Sequence, residues 1–203
     1  MDVKKGTTTV VLVCKNGVVF AADKQASAGS TIASRTTQKI FQIDDTTAIT
    51  IAGSLGDAQN LASLLKRLVA LRRIEEKRLS TRAVASLTSG LLHQNRFYPY
   101  IVWLVLAGYD ENPHAFSIDP FGGVTEDECI ATGSGTQVVH GLLEDQFRKG
   151  LDLDEGIGLA IRAIRSAQER DKATGGGIAV SIITPAGYKE FSEKDVHERV
   201  ERL

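Results

Sequence analysis

The hydrophobic period of this chain switches back and forth between two and 3.6, and the order of those blocks restricts the fold more than composition does. Thr7 to Cys14 (Thr-Thr-Thr-Val-Val-Leu-Val-Cys) and Val18 to Asp23 (Val-Val-Phe-Ala-Ala-Asp) flank Lys15-Asn16-Gly17 and predict a hairpin. Lys39 to Ile43 and Ala48 to Ala52 form a second pair around Asp44-Asp45-Thr46-Thr47. After Gly53 the apolar residues Leu61, Leu64, Leu65, Leu68 and Val69 fall at helical spacing, with Ser54 placed to cap and Asp57 in the first turn. A second helix starts near Ser80-Thr81, carries Val84, Leu87, Leu91 and Leu92, and must end before Pro99.

The strand period then returns. Tyr100 to Gly108 is apolar at both alternate positions, as expected of a strand covered on both faces. His114 to Asp119 and Glu128 to Thr132 are expected to pair around Pro120-Phe121-Gly122-Gly123. Two further helices carry Val138, Val139, Leu142 and Leu143, then Ile157, Ala160, Ile161 and Ile164. A hairpin of Ile178 to Thr184 and Tyr188 to Phe191 around Pro185-Ala186-Gly187 precedes a polar C-terminal helix. Runs of strands segregated from runs of helices indicate an α+β fold, with antiparallel sheets packed face to face and helices outside. No linker, repeat or low-complexity segment divides the chain, so one domain is expected.

Composition narrows the function by exclusion. With 24 basic against 25 acidic residues there is no electrostatic reason to bind nucleic acid or an anionic membrane. No stretch approaches the roughly 18 apolar residues of a membrane span. Cys14 and Cys129 sit in apolar runs, as reduced thiols of a cytoplasmic protein would. His93, His114, His140 and His197 lack ligand spacing, so no metal is expected, and Gly175-Gly176-Gly177 precedes a strand where a dinucleotide loop precedes a helix. No cofactor is expected.

Three features could carry chemistry. Thr7 opens a strand after a short leader, Met1 to Gly6, that has no secretory apolar core. A threonine hydroxyl is a weak nucleophile, but at a chain terminus its own α-amine can serve as base, and Gly6 would leave the preceding carbonyl open to attack by that hydroxyl. Asp23 ends the second strand and Lys39 begins the third, so hairpin pairing would bring both beside Thr7, where a buried lysine would hold an amine's pKa down. Gly53, at a strand-to-helix junction, could turn its N–H toward an oxyanion. Each has an ordinary counterpart: a strand-forming threonine, an ion pair at a sheet end, and a tight turn.

In order along the chain, Gly6-Thr7-Thr8-Thr9-Val10, Phe20-Ala21-Ala22-Asp23, Lys39-Ile40, Ala52-Gly53-Ser54-Leu55-Gly56-Asp57, Ala131-Thr132-Gly133-Ser134-Gly135 and Arg170-Asp171 resemble archaeal-type proteasome β subunits, within the N-terminal-nucleophile hydrolases. The resemblance implies a four-layer αββα sandwich and a threonine endopeptidase. Residues 1–6 would be a propeptide cut autocatalytically after Gly6, and residues 7–203 the mature domain. Thr7 would be the nucleophile, its freed amine the base, Asp23 and Lys39 the activating pair, and Gly53 the oxyanion donor. Ser134 and Asp171 would support the amine, as would Thr174, which stands where the family often has serine. Ala26, Thr37, Ile51 and Leu55 match the positions lining the primary pocket and imply cleavage after apolar residues. Partners would be a heptameric β ring, an α-subunit ring, a regulatory ATPase on the α rings, and unfolded polypeptide substrates.

Two departures stand beside the match. Val11 occupies a position where the family usually has glycine, and a larger side chain there is expected to crowd the strand beside Thr7. Gln25 stands where arginine is common, which removes a charge near Lys39. Rival readings are a ring subunit that assembles without cutting, a bacterial HslV-type peptidase, and a small-molecule amidase of the same fold.

Overall fold

The structure is a computed structural model and describes residues 6–29, 31–75 and 78–201, so the leader expected over residues 1–6 lies outside the described residues except for Gly6. The first hairpin forms as expected from β1 (Thr8–Cys14) and β2 (Gly17–Asp23), with Thr9 opposite Ala22 and Cys14 opposite Gly17. A small hairpin not foreseen in the sequence follows, β3 (Ala26–Ala28) with β4 (Thr31–Ser34). Its strands are too short and too polar to show a period. Next come β5 (Ile40–Gln42), β6 (Thr47–Gly53), α1 (Leu55–Ile74), α2 (Thr81–Gln94), β7 (Val102–Tyr109), β8 (Pro113–Ile118), β9 (Val124–Glu126) and β10 (Cys129–Gly133). The chain closes with α3 (Thr136–Gln146), α4 (Leu153–Arg170), β11 (Ile178–Thr184), β12 (Gly187–Glu190) and α5 (Glu193–Glu201). Ser54 caps α1 by accepting from Asp57 N, and Ser80 caps α2 by accepting from Ala83 N.

Two five-stranded sheets result, ordered β10-β1-β2-β11-β12 and β5-β6-β7-β8-β9, with every neighbouring pair antiparallel. The expected pairing of residues 114–119 with 128–132 is corrected here. Residues 113–118 pair with β9 around the Gly122 turn, and 129–133 cross to the other sheet to pair with β1. The single turn read in the sequence is therefore a hairpin followed by a change of sheet. Only Asp127 and Glu128 separate those strands.

Strand alternation sorts the side chains into three apolar layers. Val10, Leu12, Val19, Ala21, Val180 and Ile182 face α3, α4 and α5. Ile49, Ile51, Leu104, Leu106, Phe116 and Ile118 face α1 and α2. Between the sheets lie Val11, Val18, Phe20, Ala22 and Ile130 of one and Ile40, Ala48, Val105, Ala107 and Ala115 of the other. This is the αββα sandwich. Burial of β7 on both faces follows from it, apart from the half-exposed Trp103 near its start. Val11 belongs to this inner layer, fully buried with Phe20 and Ile130 opposite it. Four positions from Thr7, or about 13 Å along a strand, it does not crowd that residue.

Candidate active site

One end of the sandwich collects nearly every residue singled out in the sequence. Thr7 precedes β1 on the inter-sheet side, whereas Thr8 points to the helix side, and the two hydroxyls enter separate networks. Thr7 Oγ1 donates to Gly6 O at 2.6 Å, and Lys39 Nζ donates to the same oxygen at 3.3 Å. The hydroxyl, the preceding peptide carbonyl and an ammonium are thus brought together in the uncut chain. A Cβ on Gly6 would lie 2.6 Å from Ala173 O and 3.0 Å from Ser27 Oγ, so the residue before Thr7 has no space for a side chain.

Lys39 reaches Thr7 from the facing sheet. The expectation of hairpin pairing is corrected: β5 pairs with β6, and only the stacking of the two sheets carries Lys39 over β2. Its Nζ lies 2.6 Å from Asp23 Oδ1, with both side chains almost wholly buried. Asp23 also accepts from Thr8 N at 2.8 Å through Oδ1, and from Gln25 N at 3.1 Å and Gly175 N at 3.0 Å through Oδ2. With every acceptor direction occupied, the carboxylate is held rigidly. Burial keeps the Lys39 ammonium below the usual lysine range, against the upward pull of Asp23 and, more weakly, Asp171. A lysine so placed gives up its proton more readily than an exposed one.

On the helix side, proton counting fixes the direction of a chain of hydroxyls. Thr174 Oγ1 donates to Asp171 Oδ2 at 2.6 Å, and Ser134 Oγ donates to the same oxygen in a short contact. Each hydroxyl has one proton, so Thr8 must donate to Thr174, at 2.6 Å, while accepting from Gly135 N at 3.1 Å. Ser134 Oγ is then free to accept from Thr7 N, 3.4 Å away. Asp171 thereby collects donors from both sides of β1, and Ser134 connects it to the Thr7 nitrogen. Thr8 was missed in the sequence. The signal was available, because in a strand the residue after Thr7 must face the opposite layer, where the Asp171 loop lies.

A cavity of about 390 Å³ opens beside Thr7, lined by Gly6, Thr7, Lys39, Gly53 and all four expected pocket residues, Ala26, Thr37, Ile51 and Leu55. Phe41, Ala58 and Ile101 also line it. Its wall is largely apolar, suited to an aliphatic or aromatic side chain. Gly53 ends β6 with φ +136°, and a Cβ there would lie 2.1 Å from Ile101 O, so this junction requires glycine. Gln25 packs beneath the site: its Nε2 donates to Lys172 O at 3.1 Å and Ser27 Oγ at 3.3 Å, which ties Asp23 to the loop that carries Asp171 and Thr174.

Among the described residues no cluster of His, Cys, Asp and Glu could hold a metal ion, and no helix is long and apolar enough to cross a membrane. Cys14 and Cys129 form no disulfide, and burial pushes their thiols up to about 12 and about 11. A nucleophilic role for either is disfavoured by that shift.

A family model described as "Proteasome subunit" matches residues 3–183. A protein named proteasome subunit beta 1 from Thermococcus kodakarensis is 46% identical over 198 residues, covering 97% of this chain and 98% of that one. Proteins named proteasome subunit beta from Methanothermobacter thermautotrophicus and Ferroglobus placidus are 47% and 48% identical, covering 98% of this chain and 96% of each relative. Full-length similarity at this level, joined to the sandwich and the residues gathered at its end, means that the chain belongs to the proteasome subunit family as a β-type subunit.

Proposed function

We propose that the chain is a threonine endopeptidase of the proteasome core, made active by removal of residues 1–6. The observation that carries this reading is the meeting of Thr7 Oγ1 and Lys39 Nζ on the Gly6 carbonyl, above a buried Asp23. In processing, Thr7 Oγ1 attacks the Gly6 carbonyl carbon, and Lys39 in its neutral form takes the hydroxyl proton. The Gly6–Thr7 C–N bond breaks as the nitrogen takes up a proton, leaving Gly6 esterified to Thr7. Water then hydrolyses the ester, which releases the leader with a Gly6 carboxylate and frees the Thr7 amine and hydroxyl.

The same site then acts on other chains. The Thr7 hydroxyl attacks a substrate carbonyl, its proton passes to the neutral Thr7 amine, and the amine delivers it to the departing nitrogen as the C–N bond breaks. This leaves an acyl ester on Thr7 that water hydrolyses to free the hydroxyl and the second product. The Gly53 N–H, at the cavity wall, stabilises the charge on the tetrahedral oxygen. Ser134 orients the amine, backed by Asp171 and the Thr8–Thr174 pair. The apolar cavity takes the side chain before the cut, with modest selectivity, since a methylene is worth only about 1–3 kcal/mol. The relatives' names, each a proteasome subunit beta, support assembly with α subunits and other β subunits, and a heptameric β ring belongs to the proposal. Unfolded polypeptides as substrates, a regulatory ATPase on the α rings and a cytoplasmic setting belong to the same proposal.

The test is Thr7→Ala, assembled with its α partner. Wild type should begin at Thr7 by mass spectrometry and cleave fluorogenic peptides ending in an apolar residue, while the variant should keep its leader and cleave nothing. Peptidase activity retained by Thr7→Ala would exclude the mechanism.

A further inference from the structure

Three buried hydroxyls lie where the two sheets meet behind the site, and none belongs to the machinery described above. Thr9 Oγ1 is 2.8 Å from Thr132 Oγ1, its register partner on β10, and 3.1 Å from Thr50 Oγ1, which belongs to β6 of the facing sheet. Thr9 and Thr50 have no exposed surface and Thr132 very little. Their neighbours on this face are hydrocarbon, including Val11, Ala22, Ile40, Ala48 and Val105. Thr9 has one proton for two hydroxyl partners, so it donates to one and accepts from the other, and its bonding capacity links all three strands.

The position of this cluster gives it significance. Thr9 stands two residues after Thr7, Thr50 three before Gly53, and Thr132 two before Ser134. Each of the three strands that end in a proposed functional group therefore contributes one hydroxyl just behind that group. Thr7 and Gly53 belong to different sheets, and their separation depends on how one sheet sits on the other. Apolar packing is non-directional and tolerates small lateral adjustments. A hydroxyl hydrogen bond weakens steeply outside its narrow range of length and angle. Hydrogen bonds buried in a low-dielectric layer hold their partners more firmly than the same bonds would in water.

The geometry points to Thr9, with Thr50 and Thr132, as a positioning cluster that sets the nucleophile-to-oxyanion-donor distance across the sheets. The inference rests on the reading of Thr7 and Gly53 given under Proposed function. Thr9 touches neither the substrate cavity nor the Thr7 nitrogen, so its hydroxyl acts on the rate through alignment and not through binding or proton transfer.

The test compares Thr9→Val, which keeps shape and removes the hydroxyl bonds, with Thr9→Ser, which keeps them. Both are assembled with the α partner beside wild type and Thr7→Ala, and kcat and KM for one apolar fluorogenic peptide are expressed per processed N-terminus. Small displacements of reacting groups are felt strongly, so Thr9→Val should lower kcat at least about fivefold with KM within about twofold. Thr9→Ser should restore kcat to within about twofold of wild type, and the pH midpoint of kcat should be unchanged in both. Thr50→Val should reproduce the Thr9→Val effect from the facing sheet, providing a second route if Thr9→Val does not assemble. A kcat loss below about fivefold, equal losses in the Val and Ser variants, or failure of both Val variants to assemble would overturn the positioning role. An active Thr7→Ala would instead remove the underlying mechanism, which separates the two failures.

Discussion

Asp23 and Lys24 are neighbours at the end of one strand, and each makes an ion pair of 2.6 Å, yet the two pairs are opposites. Lys24, its own side chain 20% exposed, reaches Glu193 on α5, whose side chain is 85% exposed. Asp23 meets Lys39 with 0% and 4% exposure, and three backbone N–H groups complete its shell. Equal length therefore says nothing of equal worth. Water screens the outer pair and competes above all for its glutamate end, whereas the inner pair has been removed from water and must be satisfied by protein alone. Breaking the outer pair leaves an exposed glutamate and a lysine that solvent still reaches. Breaking the inner one strands a charge.

The strongest way to break the contrast is Lys39→Met. It should lower processing and peptidase activity by about 10²–10⁴-fold, the range of a lost acid–base group. It should also destabilise the fold by about 3 kcal/mol, near the lower end for a broken buried pair because Asp23 keeps its N–H donors. Peptide hydrolysis and urea unfolding measure the two. Thr8→Val tests the neighbouring buried network: Gly135 N–H and the Thr174 hydroxyl lose a partner, at about 1–3 kcal/mol, and the weakened support of Asp171 should lower kcat without changing KM.

A pH series sharpens the comparison. Burial lowers the Lys39 pKa, so the unfolded chain holds that proton more tightly, and stability must rise with pH between the folded value and the ordinary 10.5. Unfolding free energy measured across that window should show a gain for wild type that Lys39→Met lacks. A difference between the two that does not change with pH would contradict the assigned direction. The smallest effect belongs to Lys24→Met, which should alter stability by under about 0.5 kcal/mol and leave peptide hydrolysis unchanged, with any stability loss fading at high salt.

Much of this architecture was legible because strand and helix periods differ and the chain keeps them segregated. Val11 and Val10, adjacent in sequence, already belong to different layers once β1 is recognised as a strand. Crossings between sheets were not legible. Residues 129–133 read as the partner of 114–119 because the residues around Gly122 look like a single turn, and nothing in Asp127-Glu128 announces a change of sheet. Lys39 was placed beside Asp23 for the wrong reason, since hairpin pairing and sheet stacking deliver it to the same spot. At the site, residue types with a distinctive chemical signature stood out, such as Thr7 after Gly6 and the Asp23–Lys39 pair. Backbone donors such as Gly175 N and Gly135 N carry no signature in a side-chain alphabet.

The run Thr7-Thr8-Thr9 is a vernier with one aligned mark. Chain cleavage one bond later would leave Thr8 at the terminus, its hydroxyl turned toward the Asp171 loop and away from the cavity. Cleavage two bonds later would present Thr9, whose hydroxyl is sealed between Thr50 and Thr132. Three identical residues thus offer no spare copies, because strand parity and depth admit a single phase. An error of one peptide bond in trimming would yield a terminus with the right chemistry and no access to its substrate.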